Sequence, residues 1–253
     1  YYPLSILIGM GIKEILIIST KEHLPLYKKL LGNGIDLGIS FSYKVQKKPK
    51  GIAQAILLGE KFLKKSGFCL VLGDNIIFSK RKELQIKIKK AYNSEKASLF
   101  SKKVNEPNLY GVANFKNDKL NKIIEKPKKF ISDQAIIGLY FFPNNAIHDV
   151  KKLKFSKRGE LEITDLNNLF IKKNEMNLFK LSNEVHWYDA GSHKDYFKVN
   201  KKIFEIQNKS KLNIGNIHEI AFNNRLINKK ILKKIISKYI NSQYGKYLNR
   251  LIK

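Results

Sequence analysis

Cysteine is almost absent from this chain. Cys69 is the single one in 253 residues, so no intramolecular disulfide can form, which fits a reducing cytoplasm. Acid is scarce too: 21 Asp and Glu stand against 49 Lys and Arg, a formal net charge of +28. No apolar run is long enough to span a bilayer. Tyr1-Tyr2-Pro3-Leu4-Ser5 has neither the charged start nor the cleavage site of a signal peptide. There is no Met at position 1 and the chain opens in what reads as a helix, so a missing beginning is expected. The five histidines, His23, His148, His186, His193 and His218, lack metal-ligand spacing. No internal repeat, Pro/Ser linker or low-complexity segment is present beyond a Lys/Asn bias.

The basic excess raises a nucleic-acid-binding reading. Against it, the lysines are spread through every segment, as at Lys47-Lys48, Lys128-Lys129 and Lys229-Lys230. Solvated lysines on all faces are the plainer account. Such a field still favours anionic ligands such as nucleotides and sugar phosphates.

What the chain does have is a rhythm of apolar segments. Helix over 2–10, strand over 14–19, helix over 24–31, strand over 39–45, helix over 51–63 and a buried, parallel strand at Cys69–Leu72 give a doubly wound α/β layout. The run Gly32-Asn33-Gly34-Ile35-Asp36-Leu37-Gly38 follows a helix and has the wrong spacing for a dinucleotide fingerprint. A helix over 84–92 and a strand over 97–104 continue the layout. Strands over 110–115, 120–125 and 135–142 have short connections and predict antiparallel additions. A helix over 160–173, a strand over 177–181 and a helix over 196–207 follow, and the chain is helical from 217 onward. The expected division is an α/β core over 1–208 and a C-terminal helical annex over 209–253 packed on it.

Several strand ends carry unusual chemistry. Leu72-Gly73-Asp74-Asn75 places a carboxylate where α/β sheets bind ligands. It reads equally as an Asx turn or as a Mg²⁺ ligand beside phosphates. In Gln46–Gln54, two amides suit a pyrimidine edge and Gly51 permits close approach, although a Pro-Gly turn is the simpler reading of that segment. Glu125-Lys126-Pro127 can hold a sugar hydroxyl and a phosphate, or form a surface ion pair. Arg158-Gly159-Glu160-Leu161-Glu162-Ile163-Thr164-Asp165 opens a helix with acids in its first turn. Trp187-Tyr188-Asp189-Ala190-Gly191 sets a second carboxylate at an aromatic strand end.

In this order and spacing, Leu-Gly-Asp-Asn, Tyr-Gly, Glu-Lys-Pro, Gly-Leu-Tyr-Phe, Arg-Gly-Glu-Leu-Glu-Ile-Thr-Asp and Trp-x-Asp-x-Gly resemble the sugar-1-phosphate nucleotidylyltransferases. The likeness is greatest to the short bacterial type that uses dTTP and glucose 1-phosphate. Tyr244-Gly245-Lys246-Tyr247-Leu248 matches too, so the resemblance spans essentially the whole chain. It implies a Rossmann-like mixed sheet of the nucleotide-diphospho-sugar transferase type with a C-terminal helical annex. It implies Mg²⁺ held by Asp74 and Asp189, and thymine read by Gln46 with Gly51 and Ile52 beside it. Glucose 1-phosphate would be held by Gly111, Glu125 and Lys126, with Ile136, Arg158 and Trp187 lining or bordering the sugar. The implied reaction gives dTDP-glucose and pyrophosphate, for nucleotide-sugar and cell-surface polysaccharide synthesis. A cytoplasmic homotetramer binding neither nucleic acid nor membrane is implied with it.

The family's Gly-Gly-x-Gly-Thr-Arg loop and the lysine that follows it have no counterpart here, because the sequence begins beyond them. The catalytic arginine and lysine are therefore expected outside this chain, which is expected to be unstable and inactive by itself. The stretch after Asn75 also departs from the family, which sets the expectation of feedback control aside. Two other readings remain: a non-catalytic regulatory or structural relative that keeps the sugar-binding half, and a basic nucleic-acid binder.

Overall fold

The computed structural model describes residues 1–64, 66–210 and 213–252. The chain separates into two compact units: Tyr1–Val45 with Asn200–Lys253, and Gln46–Val199.

The first unit begins with helix α1 (Tyr2–Gly9). Pro3 lies in its first turn, where its missing N–H costs nothing. Strand β1 (Glu14–Ser19), helix α2 (Leu24–Leu31) and strand β2 (Ser40–Val45) follow. β1 and β2 are parallel, with Glu14 opposite Ser40 and Ser19 opposite Val45.

The second unit opens with two short helices, α3 (Ile52–Leu58) and α4 (Glu60–Leu63), interrupted at Gly59 where one helix was expected. Strand β3 (Phe68–Val71) leads through Leu72, Gly73 and Asp74 directly into β4 (Asn75–Ser79). Then come helix α5 (Glu83–Tyr92) and strands β5 (Ala97–Lys103), β6 (Gly111–Lys116), β7 (Lys119–Glu125) and β8 (Gln134–Phe142). Helices α6 (Ala146–Lys151) and α7 (Ile163–Lys172) precede strands β9 (Met176–Leu181) and β10 (Val185–Asp189).

Six of these strands form one mixed sheet in the order β7-β6-β8-β5-β9, with β3 added on β8. β5 and β9 are parallel, and β8 is antiparallel to β5, β6 and β3. The strand at Cys69 is therefore antiparallel to its neighbour and half-buried, not the buried parallel strand expected. Among the described residues its strand partner is β8 alone. β8 is buried along eight of its nine residues, as a strand flanked on both edges should be. Its Tyr140 and Phe142 pack with Phe170 of α7 and with Ala53 and Ile56 of α3 in the core of this unit. β4 was not expected as a strand. It pairs antiparallel with β10, and Asn75 stands opposite Asp189.

Helix α8 (His193–Ser210) contains the chain boundary between the units. The first unit resumes with α9 (Ile217–Asn223), α10 (Lys229–Lys238) and α11 (Gln243–Arg250). Their N-caps, Asn216, Asn228 and Ser242, each accept a backbone N–H three residues on, which satisfies donors the helix cannot. These helices share a unit with residues 1–45, so the division expected at 208/209 differs from the one that packing draws. Asp36 and Lys238 form an ion pair at 2.6 Å, and a Cβ on Gly9 would lie 3.8 Å from Ile220. The first 45 residues are thus a packing partner of the annex.

Candidate active site

The antiparallel β4–β10 pair accounts for the site's geometry. Asp74 immediately precedes β4 and Asp189 ends β10. Antiparallel register brings the start of one strand beside the end of the other, and the Ala190 N–H donates to the Asp74 carbonyl at 2.9 Å. Two carboxylates more than one hundred residues apart thus converge. The point where a Cβ on Gly191 would sit lies 3.1 Å from Asp189 Oδ1 and 3.4 Å from Asp74 Oδ2. Burial holds the Asp189 carboxyl above the usual carboxylate range. The Gly191 N–H bonded to it opposes this, the charges of Asp74 and Asp195 add to it, and Lys126 opposes it.

Asn75 joins this pair to the sheet. Its Oδ1 accepts the Trp187 indole N–H at 2.7 Å and the Gly138 N–H at 2.8 Å. Its Nδ2 donates to Asp74 Oδ1 at 2.9 Å. Gly138 has no room for a side chain, because a Cβ there would lie 2.7 Å from Leu72 and 2.8 Å from Asn75. Trp187 meets Tyr110 edge-on at 4.9 Å between ring centroids.

A second cluster gathers Gly111, Glu125, Arg158 and Thr164. Gly111 stands opposite Glu125 across β6 and β7, and a Cβ on it would lie 3.3 Å from Glu125 Oε2. Thr164 Oγ1 donates to that same oxygen at 2.6 Å. Arg158 reaches Glu125 at 3.6 Å and grips Glu162 through two hydrogen bonds of 3.2 and 2.9 Å. The Lys126 N–H donates to the Tyr110 carbonyl at 3.0 Å, with Lys126 in the left-handed backbone region at φ +43°. The two clusters meet at Tyr140, a 5% exposed side chain. Its phenol is raised by burial first, then by the charges of Glu125 and Asp74. Ile136 is buried in the core cluster that includes Tyr140.

A third group contains Gln46, Gly51 and Ile52. Gln46 Nε2 donates to Gln54 Oε1 at 2.8 Å and to the Gly51 carbonyl at 3.4 Å. Gly51 caps α3 at φ +95°, and a Cβ on it would lie 2.3 Å from the Leu161 carbonyl oxygen. The Leu161 N–H donates to Lys50 and its carbonyl accepts from Ala53. This stitches the loop to the segment that carries Arg158.

All eleven expected residues thus lie in the second unit, ten of them in these three groups and Ile136 in the core beside them. Asn75, Tyr110, Tyr140, Glu162 and Thr164 were not singled out from sequence. Each lies inside one of the quoted motifs, which was the available signal. Among the described residues no three His, Cys, Asp or Glu side chains group as a metal site, and no helix is long and apolar enough to cross a membrane.

The chain belongs to the nucleotidyl transferase family, whose model matches residues 1–206. More narrowly, it groups with glucose-1-phosphate thymidylyltransferases. That of Neisseria meningitidis serogroup A is 39% identical over 254 residues, covering 100% of this chain and 88% of the relative. That of Xanthomonas campestris strain B100 is 39% identical over 255 residues, covering 100% of this chain and 86% of the relative. A Bacillus anthracis protein described as a glucose-1-phosphate thymidylyltransferase, crystallised with sucrose, superposes with a TM-score of 0.75 at 34% identity. That match covers 87% of this chain and 85% of the other. A UDP-glucose pyrophosphorylase complexed with UDP-glucose shares the fold, with a TM-score of 0.64 at 21% identity over 80% of this chain and 86% of the other.

Proposed function

We propose that this chain serves transfer of a thymidylyl group from dTTP to glucose 1-phosphate, giving dTDP-glucose and pyrophosphate. The observation that carries the reading is the convergence of Asp74 and Asp189 on one point beside Gly191. Two carboxylates fit Mg²⁺, which keeps several waters and is held by one or two carboxylates together with substrate phosphates. Bound there, Mg²⁺ would neutralise charge on the phosphates as pyrophosphate leaves.

The chain's own residues do the positioning. Glu125 accepts from Thr164 through one oxygen and keeps the other beside Arg158, so its carboxylate is fixed in orientation to accept sugar hydroxyls. The Gly111 backbone lies close against that carboxylate, which leaves room for a ligand only because no side chain intervenes. Lys126 supplies a cation next to Asp189 for the sugar phosphate. Gln46 offers an amide edge to the base, with Gly51 and Ile52 beneath it and Gln54 holding the amide in place. The sugar-phosphate oxygen attacks the α-phosphorus, the bond to the bridging oxygen breaks, and pyrophosphate departs. No covalent enzyme intermediate is needed.

The test is pyrophosphate release from dTTP and glucose 1-phosphate with Mg²⁺, measured on the purified protein. Turnover that needs both substrates supports the reading. No turnover, with dTDP-glucose also failing to bind, overturns it.

A further inference from the structure

Asn75 has no part in the roles given above, yet it is 3% exposed and sits among their residues. Its amide is held in one orientation. Oδ1 faces two N–H donors, those of Gly138 and Trp187. The opposite orientation would set an NH₂ group against both, leaving three donors with no acceptor.

The Gly138 N–H belongs to an edge of β8. Along that edge, pairing with β3 ends at Leu139 and pairing with β6 is at Ala135. Asn75 takes the place of a strand partner in the gap. With Oδ1 fixed by the sheet and by the indole, Nδ2 must point at Asp74. It binds Asp74 Oδ1, and the other oxygen, Oδ2, is the one turned toward the point shared with Asp189.

We propose that Asn75 is a positioning residue that ties the Trp187 indole to the Asp74 carboxylate, so that cation binding at Asp74 and Asp189 and the placement of Trp187 are coupled. This rests on the two-carboxylate reading of the site. Trp187 is also the sole tryptophan of the chain, so its fluorescence reports one end of the coupling without interference.

The experiment titrates the chain with Mg²⁺ in the presence of dTTP. Calorimetry reads cation binding, and emission excited at the red edge of the indole band reads Trp187. In the wild type the emission changes with the same midpoint as the heat. Asn75→Ala removes a hydrogen bond to a charged group and weakens Mg²⁺ binding about ten-fold. It also abolishes the emission change while Trp187 is still present. Trp187→Phe keeps a ring against Tyr110 but has no N–H, and weakens Mg²⁺ binding about five-fold by calorimetry. Variants that bind Mg²⁺ as the wild type does, or an Asn75→Ala protein whose emission still follows the cation, overturn the coupling alone. A wild type that binds no Mg²⁺ overturns the two-carboxylate reading and the coupling with it.

Discussion

Replacing Gly51 by alanine should destabilise the second unit substantially, by two separable effects. Its backbone lies at φ +95° and ψ +162°, a region open essentially to glycine, and alanine there costs about 1–3 kcal/mol. The added methyl would also lie 2.3 Å from the Leu161 oxygen and 2.8 Å from its nitrogen. These are backbone atoms and cannot swing aside. Relief requires the 46–51 loop and the 158–161 segment to part, which breaks the bonds of Leu161 with Lys50 and Ala53, at 2.8 and 3.2 Å. Each contributes about 0.5–1.5 kcal/mol. The whole effect is about 2–6 kcal/mol, a large share of the roughly 5–15 kcal/mol that holds a domain folded. Urea unfolding followed by Trp187 emission measures it, because Trp187 lies in that unit. Gly159→Ala is the control. Gly159 is also at positive φ, +74°, but a Cβ on it would meet nothing within 4 Å, so that variant should lose only about 1–2 kcal/mol. The Gly51 variant should also lose dTTP affinity, since Gln46 bonds to the Gly51 carbonyl. A Gly51→Ala protein no less stable than Gly159→Ala would refute the collision argument.

Three further outcomes are expected. Burial raises the Glu83 carboxyl, but hydrogen bonds from Lys87 and Ser182 outweigh it and pull the group down to about 2. Its stabilising contribution is therefore complete above about pH 4.3, the unfolded value, and is lost as pH falls toward 2. Accordingly, the stability gap between wild type and Glu83→Gln, about 1–3 kcal/mol near pH 7, should close over that window in urea titrations. His218 is lowered by burial, with Asp36 opposing and Lys238 assisting. Below about pH 6.5 the unfolded chain takes up a proton that the folded one resists, so the first unit should weaken as pH falls, and His218→Gln should flatten that slope in thermal melts. Asp149 is 5% exposed and pairs with Lys173 at 2.6 Å. Lys173→Met strands a buried carboxylate and should cost about 3 kcal/mol, measured by urea unfolding, with Asp149→Asn in the same background recovering part of it.

The sequence made the segments visible more readily than their pairing. β5, β8 and α5 fall close to where apolar periodicity puts them. β4 is not expected from sequence although Asn75-Ile76-Ile77-Phe78-Ser79 is as strand-like as β3. Leu72-Gly73-Asp74 reads as a turn into a loop, and the partner that makes the run a strand is β10, over a hundred residues away. The direction and depth of β3 are not legible for a related reason: apolar content alone tells neither whether a neighbour runs parallel nor how fully the strand is covered. The helix expected from residue 160 starts at Ile163, because Gly159 at φ +74° and the Arg158–Glu162 grip hold 156–162 as a turn. The candidate site residues stand out in the sequence because their motifs are chemically distinctive. Asn75 does not, since its importance comes from three partners, Asp74, Gly138 and Trp187, that only the folded chain brings together.

The account stands on Asp74 and Asp189 acting as one cation site. The most direct test is Mg²⁺ affinity, measured by calorimetry in the presence of dTTP, for the wild type, Asp74→Asn and Asp189→Asn. Each substitution should weaken binding by more than the roughly 10–100-fold that loss of an outer-shell partner costs, with the far-ultraviolet circular dichroism spectrum unchanged. An Asp189→Asn protein that binds Mg²⁺ as tightly as the wild type would contradict it.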